Sequence, residues 1–389
     1  MVVAGIIGRL PVGMNSLGLV LLVRDVGGSY AAAGAVAASY SIGVAAMAPS
    51  VGWAIDRWGQ TRLLRPTAVA FVVTLSSVVF VLEHDGPGVP AVVLAALAGT
   101  TLPPIGSCMR ALWPELADSD DSRDAAFALE AVIQEVAFMI GPLIVGLLAV
   151  TVSPAAAVLA AGLLGAGGAL AFSACGPSRT AHRRVFRGSG HGALRGRGIR
   201  TVMLATVSVG VATSAAQVAM PAFSEEYGTP AAAGIILAFL SLGSLVGGIV
   251  AALGAARIGP VRRYVVALAV LALALVPLLA AGSVAQMAVL MFLTGVPIAP
   301  GFASAYSLLG TLAKPGTATA TFAWNTTSII LGSALGSAIG GVCIREFGYR
   351  SSITVSVVAA SLALAIVLAG RRGLEPSGRA GADVVPGVT

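Results

Sequence analysis

Charged residues are scarce in this chain. Only 10% of its 389 residues are Asp, Glu, Lys or Arg, whereas 57% are hydrophobic. Soluble domains carry about 25% charged residues, and their helices keep a polar face, so a soluble protein is excluded. Apolar stretches of about 20 residues, each long enough to cross a bilayer, recur along the whole length. The composition therefore predicts an all-α membrane protein.

Residues that form disulfides or bind metals are also rare. The three cysteines and three histidines are scattered at Cys108, Cys175, Cys343, His84, His182 and His191. Their spacing predicts no disulfide framework, no metal site and no cofactor. The sequence contains no G-x-x-x-x-G-K-[ST] loop and no nucleophile–base set, so an ATP-driven pump and an enzyme are disfavoured.

Lysine is nearly absent, since Lys314 is a single lysine among 23 basic residues, yet the net charge is +7. The arginines concentrate in the predicted connections, which indicates membrane orientation and not nucleic-acid binding. With both termini inside, only Arg24, Arg345 and Arg350 lie outside. We therefore expect both termini to be cytoplasmic. The first apolar run begins next to Met1 and is long enough to span, so no cleaved signal is expected.

Twelve helices are predicted, six on each side of an Arg- and Gly-rich linker. The first six are placed at 2–23, 31–54, 63–82, 90–112, 125–150 and 154–175. The last six are placed at 201–223, 231–253, 265–281, 284–309, 317–343 and 351–368. This division gives an N-terminal bundle (1–175), a linker (176–200), a C-terminal bundle (201–370) and a tail (371–389) that we expect to be disordered.

An internal repeat relates the two predicted bundles. The matching pairs are 31–34 with 231–234, Ser41 with Ser241, Gly43 with Gly243, Arg57 with Arg257, Gly59 with Gly259, Phe127 with Phe322 and Glu130 with Asn325. Asp56 has no acidic counterpart, because Ala256 stands at the equivalent position. The repeat predicts two six-helix halves that are similarly oriented in the membrane.

A dense charged cluster, G-W-A-I-D-R-W-G-Q-T-R, separates helices 2 and 3. Glycines allow the sharp turn, and a carboxylate this close to the apolar zone needs a partner. The pattern G-x-x-x-D-R-x-G-x-x-R is carried by Gly52, Asp56, Arg57, Gly59 and Arg62. It resembles the signature loop of the major facilitator superfamily, although a glutamine follows the second glycine where the family has a basic residue.

This resemblance implies twelve transmembrane helices in two pseudo-repeated halves, and it is nearest to the bacterial proton-linked exporters of the twelve-helix type. It also implies that Asp56 holds the loop against helix 11 in one transport state. The partners would be a small-molecule substrate, protons and the lipid bilayer, with the protein a monomer. A sugar or metabolite facilitator of the same fold, and a membrane receptor or assembly protein that does not transport, remain alternatives.

Three charged residues are predicted at membrane depth: Arg9 in helix 1, with Glu130 and Glu135 in helix 5. Ionisable groups there are candidates for proton or substrate binding. Arg9 and Glu130 lie at a similar depth, so we expect them to form an ion pair. Glu135 lies deeper and on another face of the helix, so it is the preferred proton carrier.

Small residues form stripes along helices 5 and 11. The stripes consist of Gly141, Pro142 and Gly146, and of Gly332, Gly336, Gly340 and Gly341. They partly match the superfamily's exporter pattern G-x-x-x-G-P-x-x-G-G, with Ala137, Val145 and Ser337 as departures. We expect these stripes to allow close packing and bending at the interface between the halves.

The resemblance implies a substrate cavity lined mainly by helices 1, 4, 7 and 10. The candidate lining residues on those helices are Asn15, Thr101, Gln217, Phe302, Ser304 and Tyr306. Polar groups are sparse in this set, whereas a sugar site would need more of them. We therefore expect a lipophilic or amphipathic substrate.

Overall fold

The structure is a computed structural model that describes residues 1–180, 194, 196–229, 232–254 and 259–374. Most of the predicted linker and of the C-terminal tail therefore lies outside the described residues, as do Ala256 and Arg257. In the described ranges the chain is helical and contains no β-strand. The predicted all-α class is confirmed.

Twelve helical segments in the described residues are long and apolar enough to cross a membrane, as predicted. The first six are α1 (Val2–Asp25), α2 (Tyr30–Trp58), α3 (Gln60–His84), α4 (Val89–Thr101 and Ile105–Leu116), α5 (Asp120–Thr151) and α6 (Pro154–Ala174). The others are α7 (Arg197–Glu226), α8 (Ala232–Gly254), α9 (Pro260–Leu275), α10 (Val284–Gly295 and Ile298–Leu312), α11 (Ala318–Phe347) and α12 (Tyr349–Gly370). A short helix, Gly176–Thr180, follows α6.

Helix α5 begins five residues earlier than predicted. Its N-cap is Ser119, whose hydroxyl accepts a hydrogen bond from the Ser122 amide at 3.1 Å in a reciprocal capping box. Asp124 therefore lies inside the helix and is not its N-cap. Capping by a short hydroxyl side chain satisfies free amides of the first turn, and this frees Asp124 for other contacts.

Prolines interrupt α4 and α10 at equivalent places. In α4 the break falls at Pro103 and Pro104, and in α10 it falls at Val296 and Pro297. Proline has no amide hydrogen to donate and its ring clashes with the preceding turn, so the helical hydrogen-bond ladder stops there. Each span continues as a helix beyond the break.

The two halves use the same packing plan. In the first half α1 packs against α5 and α6, α2 against α4, and α3 against α6. In the second half α7 packs against α11 and α12, α8 against α10, and α9 against α12. Between the halves, α2 packs on α11, and α5 packs on α8 and α10. This arrangement agrees with the repeat detected in the sequence.

Glycines bring paired helices into backbone contact. A Cβ on Gly43 of α2 would lie 2.0 Å from the Ala96 carbonyl oxygen of α4, and one on Gly99 would lie 2.0 Å from the Tyr40 carbonyl oxygen. Gly243 and Gly295 repeat this contact between α8 and α10. Such distances exclude any side chain, so these glycines are required for the close approach.

The glycine stripes of α5 and α11 lie inside the halves, so the expectation that they pack between the halves was wrong. Gly141 faces the backbone of Gly13 in α1, with 2.8 Å between an added Cβ and the Gly13 carbonyl carbon. Gly332 and Gly336 face the carbonyl oxygens of Val207 and Val211 in α7 at 2.2 and 2.5 Å. The stripes point to α1 and α7 because those helices are their nearest neighbours.

The remaining stripe residues are less constrained. Gly340 faces the Ser352 hydroxyl of α12, while Gly146 and Gly341 have no atom within 4 Å of an added Cβ. Pro142 lies within α5, which remains a single helix through it. The close contacts are therefore concentrated at Gly141, Gly332, Gly336 and Gly340.

We call the membrane side at which α1 begins and α12 ends the termini side. Polar and aromatic contacts between the two six-helix halves lie near the termini side. They involve α2 positions 45–56, α5 positions 124–135 and α11 positions 319–327. The halves are thus joined on the termini side. This arrangement positions the functional groups described below.

The Gly43 contact predicts a stability loss on adding one methyl group. Gly43→Ala should destabilise the protein by about 1–3 kcal/mol, because the helices must separate or bend. Thermal unfolding of the purified protein in detergent measures this as a lower melting temperature. The matched control is Gly34→Ala in the same helix, where an added Cβ meets open space. An equal loss in both variants would contradict the packing role of Gly43.

Candidate functional site

A buried charge cluster joins α1, α4 and α5. Arg9 and Glu130 form an ion pair at 2.7 Å, and their side chains are 2% and 0% exposed. Trp113 of α4 donates its indole N–H to the other oxygen of Glu130 at 3.0 Å. The predicted Arg9–Glu130 pair is therefore present, and both carboxylate oxygens of Glu130 are occupied. A group held in this way acts best as a fixed structural charge.

Arg110 belongs to the same cluster, although it was not predicted to be one of the charged residues at membrane depth. It is 4% exposed, and α4 continues as a helix beyond it to Leu116. Its guanidinium lies over the Tyr306 ring of α10 at 4.6 Å and near the Phe322 ring of α11 at 5.7 Å. Arg110 therefore connects the first half to two helices of the second half.

Glu135 occupies a different environment from Glu130. It is partly exposed, and it faces Ser244 of α8 across the boundary between the halves. Among the described residues, the ion pairs of this region include no cation on Glu135. At 1.5 Å per residue it lies about 22 Å from the start of α5, against about 15 Å for Glu130. Its carboxylate is thus placed to change its protonation state without breaking an ion pair.

The signature loop places Asp56 on the first turn of α11. The two carboxylate oxygens accept hydrogen bonds from the backbone amides of Thr319 at 3.0 Å and Ala320 at 2.8 Å. The N-cap residue of α11, Thr317, makes no side-chain capping bond of its own. Asp56 therefore caps a helix of the other half, where the helix dipole favours a negative charge.

The other loop residues support this contact. A Cβ on Gly52 would lie 2.9 Å from the Ala323 side chain, so Gly52 lets α2 approach α11. Gly59 adopts φ 92°, which ends α2 and begins α3. Arg57 is exposed, with its guanidinium 5.8 Å from the Trp53 ring, and Arg62 is also exposed.

Gln60, where the superfamily pattern has a basic residue, is buried. Its amide nitrogen donates to the Cys108 carbonyl of α4 at 3.1 Å. A glutamine can occupy this buried position without the cost of burying a charge. The departure from the pattern therefore gives the loop a contact with α4.

A second contact between the halves was not predicted from the sequence. Asp124 of α5 pairs with Arg263 of α9 and accepts a hydrogen bond from the Ser307 hydroxyl of α10 at 2.6 Å. In the first contact the acid is Asp56, at the end of α2, and the equivalent position in the second half is Ala256. The acid of the second contact lies instead on α5, so repeat matching could not find it.

The predicted cavity residues do not share one environment. The Asn15 amide donates to the Tyr40 hydroxyl at 2.6 Å, and the Thr101 hydroxyl lies 3.0 Å from that of Thr74 in α3. The Ser304 hydroxyl donates to the Pro300 carbonyl within α10, and Tyr306 lies under Arg110. Gln217 is exposed, and Phe302 lines a small gap inside the second half. Tyr306 is thus in contact with a charged group of the other half.

A cleft of about 490 Å³ lies between the halves on the termini side. Its walls include Asp56 and Gln60 of the signature loop, Ala111 and Glu115 of α4, and Lys314 after α10. Arg110 directly precedes Ala111 in α4, so the helix segment that carries Arg110 also lines this cleft. The cleft ends where the two halves meet.

The Arg9–Glu130 pair predicts strong coupling between the two residues. Glu130→Gln should destabilise the protein by about 3–5 kcal/mol, because it leaves Arg9 buried without a countercharge, and Arg9→Ala should have a similar effect. The double variant Arg9→Ala/Glu130→Gln should lose less than the sum of the two single losses, which thermal unfolding in detergent would measure.

The control for this cycle is the exposed pair of Arg345 and Glu346, which lie 2.8 Å apart. Glu346→Gln should change stability little, because water solvates the remaining charge. Additive losses at Arg9 and Glu130 would show that the two residues do not stabilise each other.

Known structures share this fold. A bacterial homologue of the iron transporter ferroportin, solved in an outward-facing state, superposes with a TM-score of 0.78 at 13% identity, covering 95% of this chain and 98% of that one. A human organic anion transporter gives 0.75 at 13% identity, with 94% and 98% covered. The fucose:proton symporter of E. coli gives 0.72 at 12% identity, with 94% and 96% covered.

These identities are low, so the similarity establishes the fold and not the substrate. Among curated proteins, no relative matches the sequence significantly. The model of the family described as Major Facilitator Superfamily matches residues 1–199 and 202–386. This match covers nearly the whole chain, and the protein therefore belongs to the major facilitator superfamily and is a membrane transporter, not an enzyme.

Proposed function

We propose that this protein is a proton-coupled antiporter that exports lipophilic or amphipathic small molecules by alternating access. It acts as a monomer in the bacterial inner membrane, with both termini in the cytoplasm. The observation that carries the proposal is the contrast between the two glutamates of α5. Glu130 is fixed by Arg9 and Trp113, whereas Glu135 faces Ser244 at the moving boundary between the halves.

The side chain that carries the proton must be accessible first from one side of the membrane and then from the other. Glu135 lies where α5 of the first half contacts α8 of the second, and these helices separate when the halves rotate. At membrane depth a neutral carboxyl is less costly than a charged one, so Glu135 is protonated from the more acidic outside. The inward-open state releases the proton, and substrate binds in the opposite half of the cycle.

The contacts on the termini side hold one of the two states. Asp56 caps α11 and Asp124 pairs with Arg263, so both contacts must break before the inside can open. Together they stabilise the outward-open state relative to the inward-open state. Binding of substrate and release of the proton must supply the free energy that breaks them. This supports a transporter with controlled access over a receptor that does not transport.

The chemistry of the helices favours an apolar or amphipathic cargo. The Asn15 amide nitrogen and the Thr101 and Ser304 hydroxyls already bond to neighbouring protein groups, which leaves Asn15 Oδ1 as a free acceptor in this set. A sugar needs many free donors and acceptors, and these residues do not supply them. Efflux of a panel of dyes and toxic compounds from an exporter-deficient host identifies the working substrate.

The Asp56 contact predicts a shift between the two states. Asp56→Asn loses one of the two acceptor oxygens and the negative charge, and a charge at a helix N-terminus contributes about 0.3–2 kcal/mol. The ratio of the outward-open to the inward-open state should therefore fall severalfold. Spin labels at exposed Arg65 and Arg262 on the termini side should report a larger separation, measured in a variant with its three cysteines replaced.

Asp85→Asn, which changes an exposed acid on the opposite side, is the matched control. It should leave the distance distribution unchanged. If Asp56→Asn also left the distribution unchanged, the Asp56 contact would not contribute to the equilibrium between the states.

The Glu135 assignment predicts loss of coupling with retained binding. Glu135→Gln should abolish transport driven by a pH gradient in proteoliposomes, because the amide cannot carry a proton. Substrate exchange without a gradient should continue. The control Glu83→Gln, at an exposed position in the last turn of α3, should transport normally.

Glu130→Gln distinguishes coupling from folding. It should lower the melting temperature, and the protein that remains folded should keep its gradient-driven transport. Full coupled transport by Glu135→Gln would contradict the assignment of Glu135, and full transport by the double glutamate variant would exclude α5 from proton coupling.

A further inference from the structure

We propose that the transported molecule is an amphipathic anion and that Arg110 binds its acidic group. This inference rests on the proposed function, because it names the substrate class for the same transport route. Three observations carry it: the buried and unpaired guanidinium of Arg110, the excess positive charge around it, and its position at the junction of the two halves.

Arg110 lacks the partners that a buried arginine requires. It is 4% exposed, and its Nε is buried without a hydrogen-bond partner. Within the described part of the chain, neither a carboxylate nor a carbonyl oxygen bonds to its guanidinium. The rings of Tyr306 and Phe322 offset only part of the cost of burying this charge. The missing partner is an acceptor with negative charge.

The surrounding cluster carries a net positive charge. Arg9 and Arg110 both approach Gly106, where an added Cβ would lie 3.4 Å from Arg9 Nε and 3.3 Å from an Arg110 terminal nitrogen. The two guanidinium groups are therefore within about 7 Å of each other, and they repel each other in an apolar environment. Glu130 neutralises one of these charges, and an anion would neutralise the other.

The position of Arg110 couples it to the transport cycle. Its ring contacts are on α10 and α11 of the second half, so they must break when the halves separate on the termini side. Ala111, the next residue, lines the cleft between the halves. Separation therefore exposes the guanidinium to the cleft, where the acidic group of a substrate replaces the rings and its apolar part contacts Tyr306 and Phe322.

Anion export with proton import is favoured by the membrane potential. One anion leaving and one proton entering move two positive charge equivalents inward, and an inside-negative potential drives both movements. Export of a neutral substrate in exchange for one proton would move one positive charge inward, and export of a monovalent cation would move no net charge. The charge of the substrate is thus measurable from the voltage dependence of transport.

The test uses equilibrium dialysis of the full-length protein in nanodiscs, with empty nanodiscs subtracted. The probes are 2-naphthoate with 2-naphthamide, naphthalene-2-sulfonate with its sulfonamide, and 2-naphthyl phosphate with 2-naphthol. The wild type should bind at least one anion about tenfold or more tightly than its neutral counterpart, as expected for a hydrogen bond to a charged group.

Arg110→Gln should remove this preference and leave binding of the neutral probe unchanged. Arg110→Lys keeps the charge without the planar fork, so it should retain part of the preference. The matched control Arg372→Gln removes an exposed charge at the end of α12 and should bind like the wild type. Melting temperatures of all variants identify any loss of folded protein.

The proposal is overturned if the wild type binds no anion more tightly than its neutral counterpart, or if folded Arg110→Gln keeps the preference. In the second case Arg110 would serve only to pack the halves together. Transport in proteoliposomes separates this inference from the proposed function. If proton-coupled export is seen for neutral or cationic compounds and is insensitive to Arg110→Gln, the antiporter proposal stands and the anionic substrate is excluded. If anions bind in an Arg110-dependent way but transport is not coupled to protons, the anionic substrate stands and the antiporter proposal is wrong.

Discussion

A charged group inside a membrane has no water to solvate it, so it must be held by other protein groups. This constraint explains the positions of Glu130, Asp56 and Asp124. Glu130 is enclosed by Arg9 and Trp113 within the first half, where it does not move. Asp56 and Asp124 are held by groups of the second half, so their partners change when the halves move. Charges with partners in their own half therefore keep them throughout transport, whereas charges with partners across the boundary exchange them.

The fold could be predicted almost completely from the sequence, because length, hydropathy and the internal repeat all depend on local patterns. The Asp56 contact could also be expected, since the loop motif and the resemblance point to α11. The glycine stripes were recognised but assigned to the wrong neighbours. Periodicity shows that Gly141 and Gly332 share a face with other small residues, but it does not show which helix that face meets. Arg110 was not recognised as a buried charge for a related reason, because the pattern does not show which neighbouring helices cover the end of α4.

The two halves share a backbone plan and differ in their charges. Gly43 with Gly99 and Gly243 with Gly295 make the same contact in each half, because a backbone approach tolerates only glycine. The acids are not repeated: Asp56 caps a helix across the boundary, whereas Asp124 forms an ion pair from α5. Repeats are thus reliable guides to packing and poor guides to function, since the symmetric part holds the fold and the asymmetric part distinguishes the two halves.

The hydrogen bond from Gln60 to the Cys108 carbonyl has a mechanical consequence. It ties the turn between α2 and α3 to the segment of α4 that carries Arg110 and Trp113, and Thr61 bonds to the Ser173 carbonyl of α6 at 3.3 Å in the same region. We therefore expect the turn and this segment to move together. When Asp56 separates from α11, Arg110 would separate from Tyr306 and Phe322 in the same step. Release of the loop and exposure of the guanidinium would then need no relay of intermediate side chains.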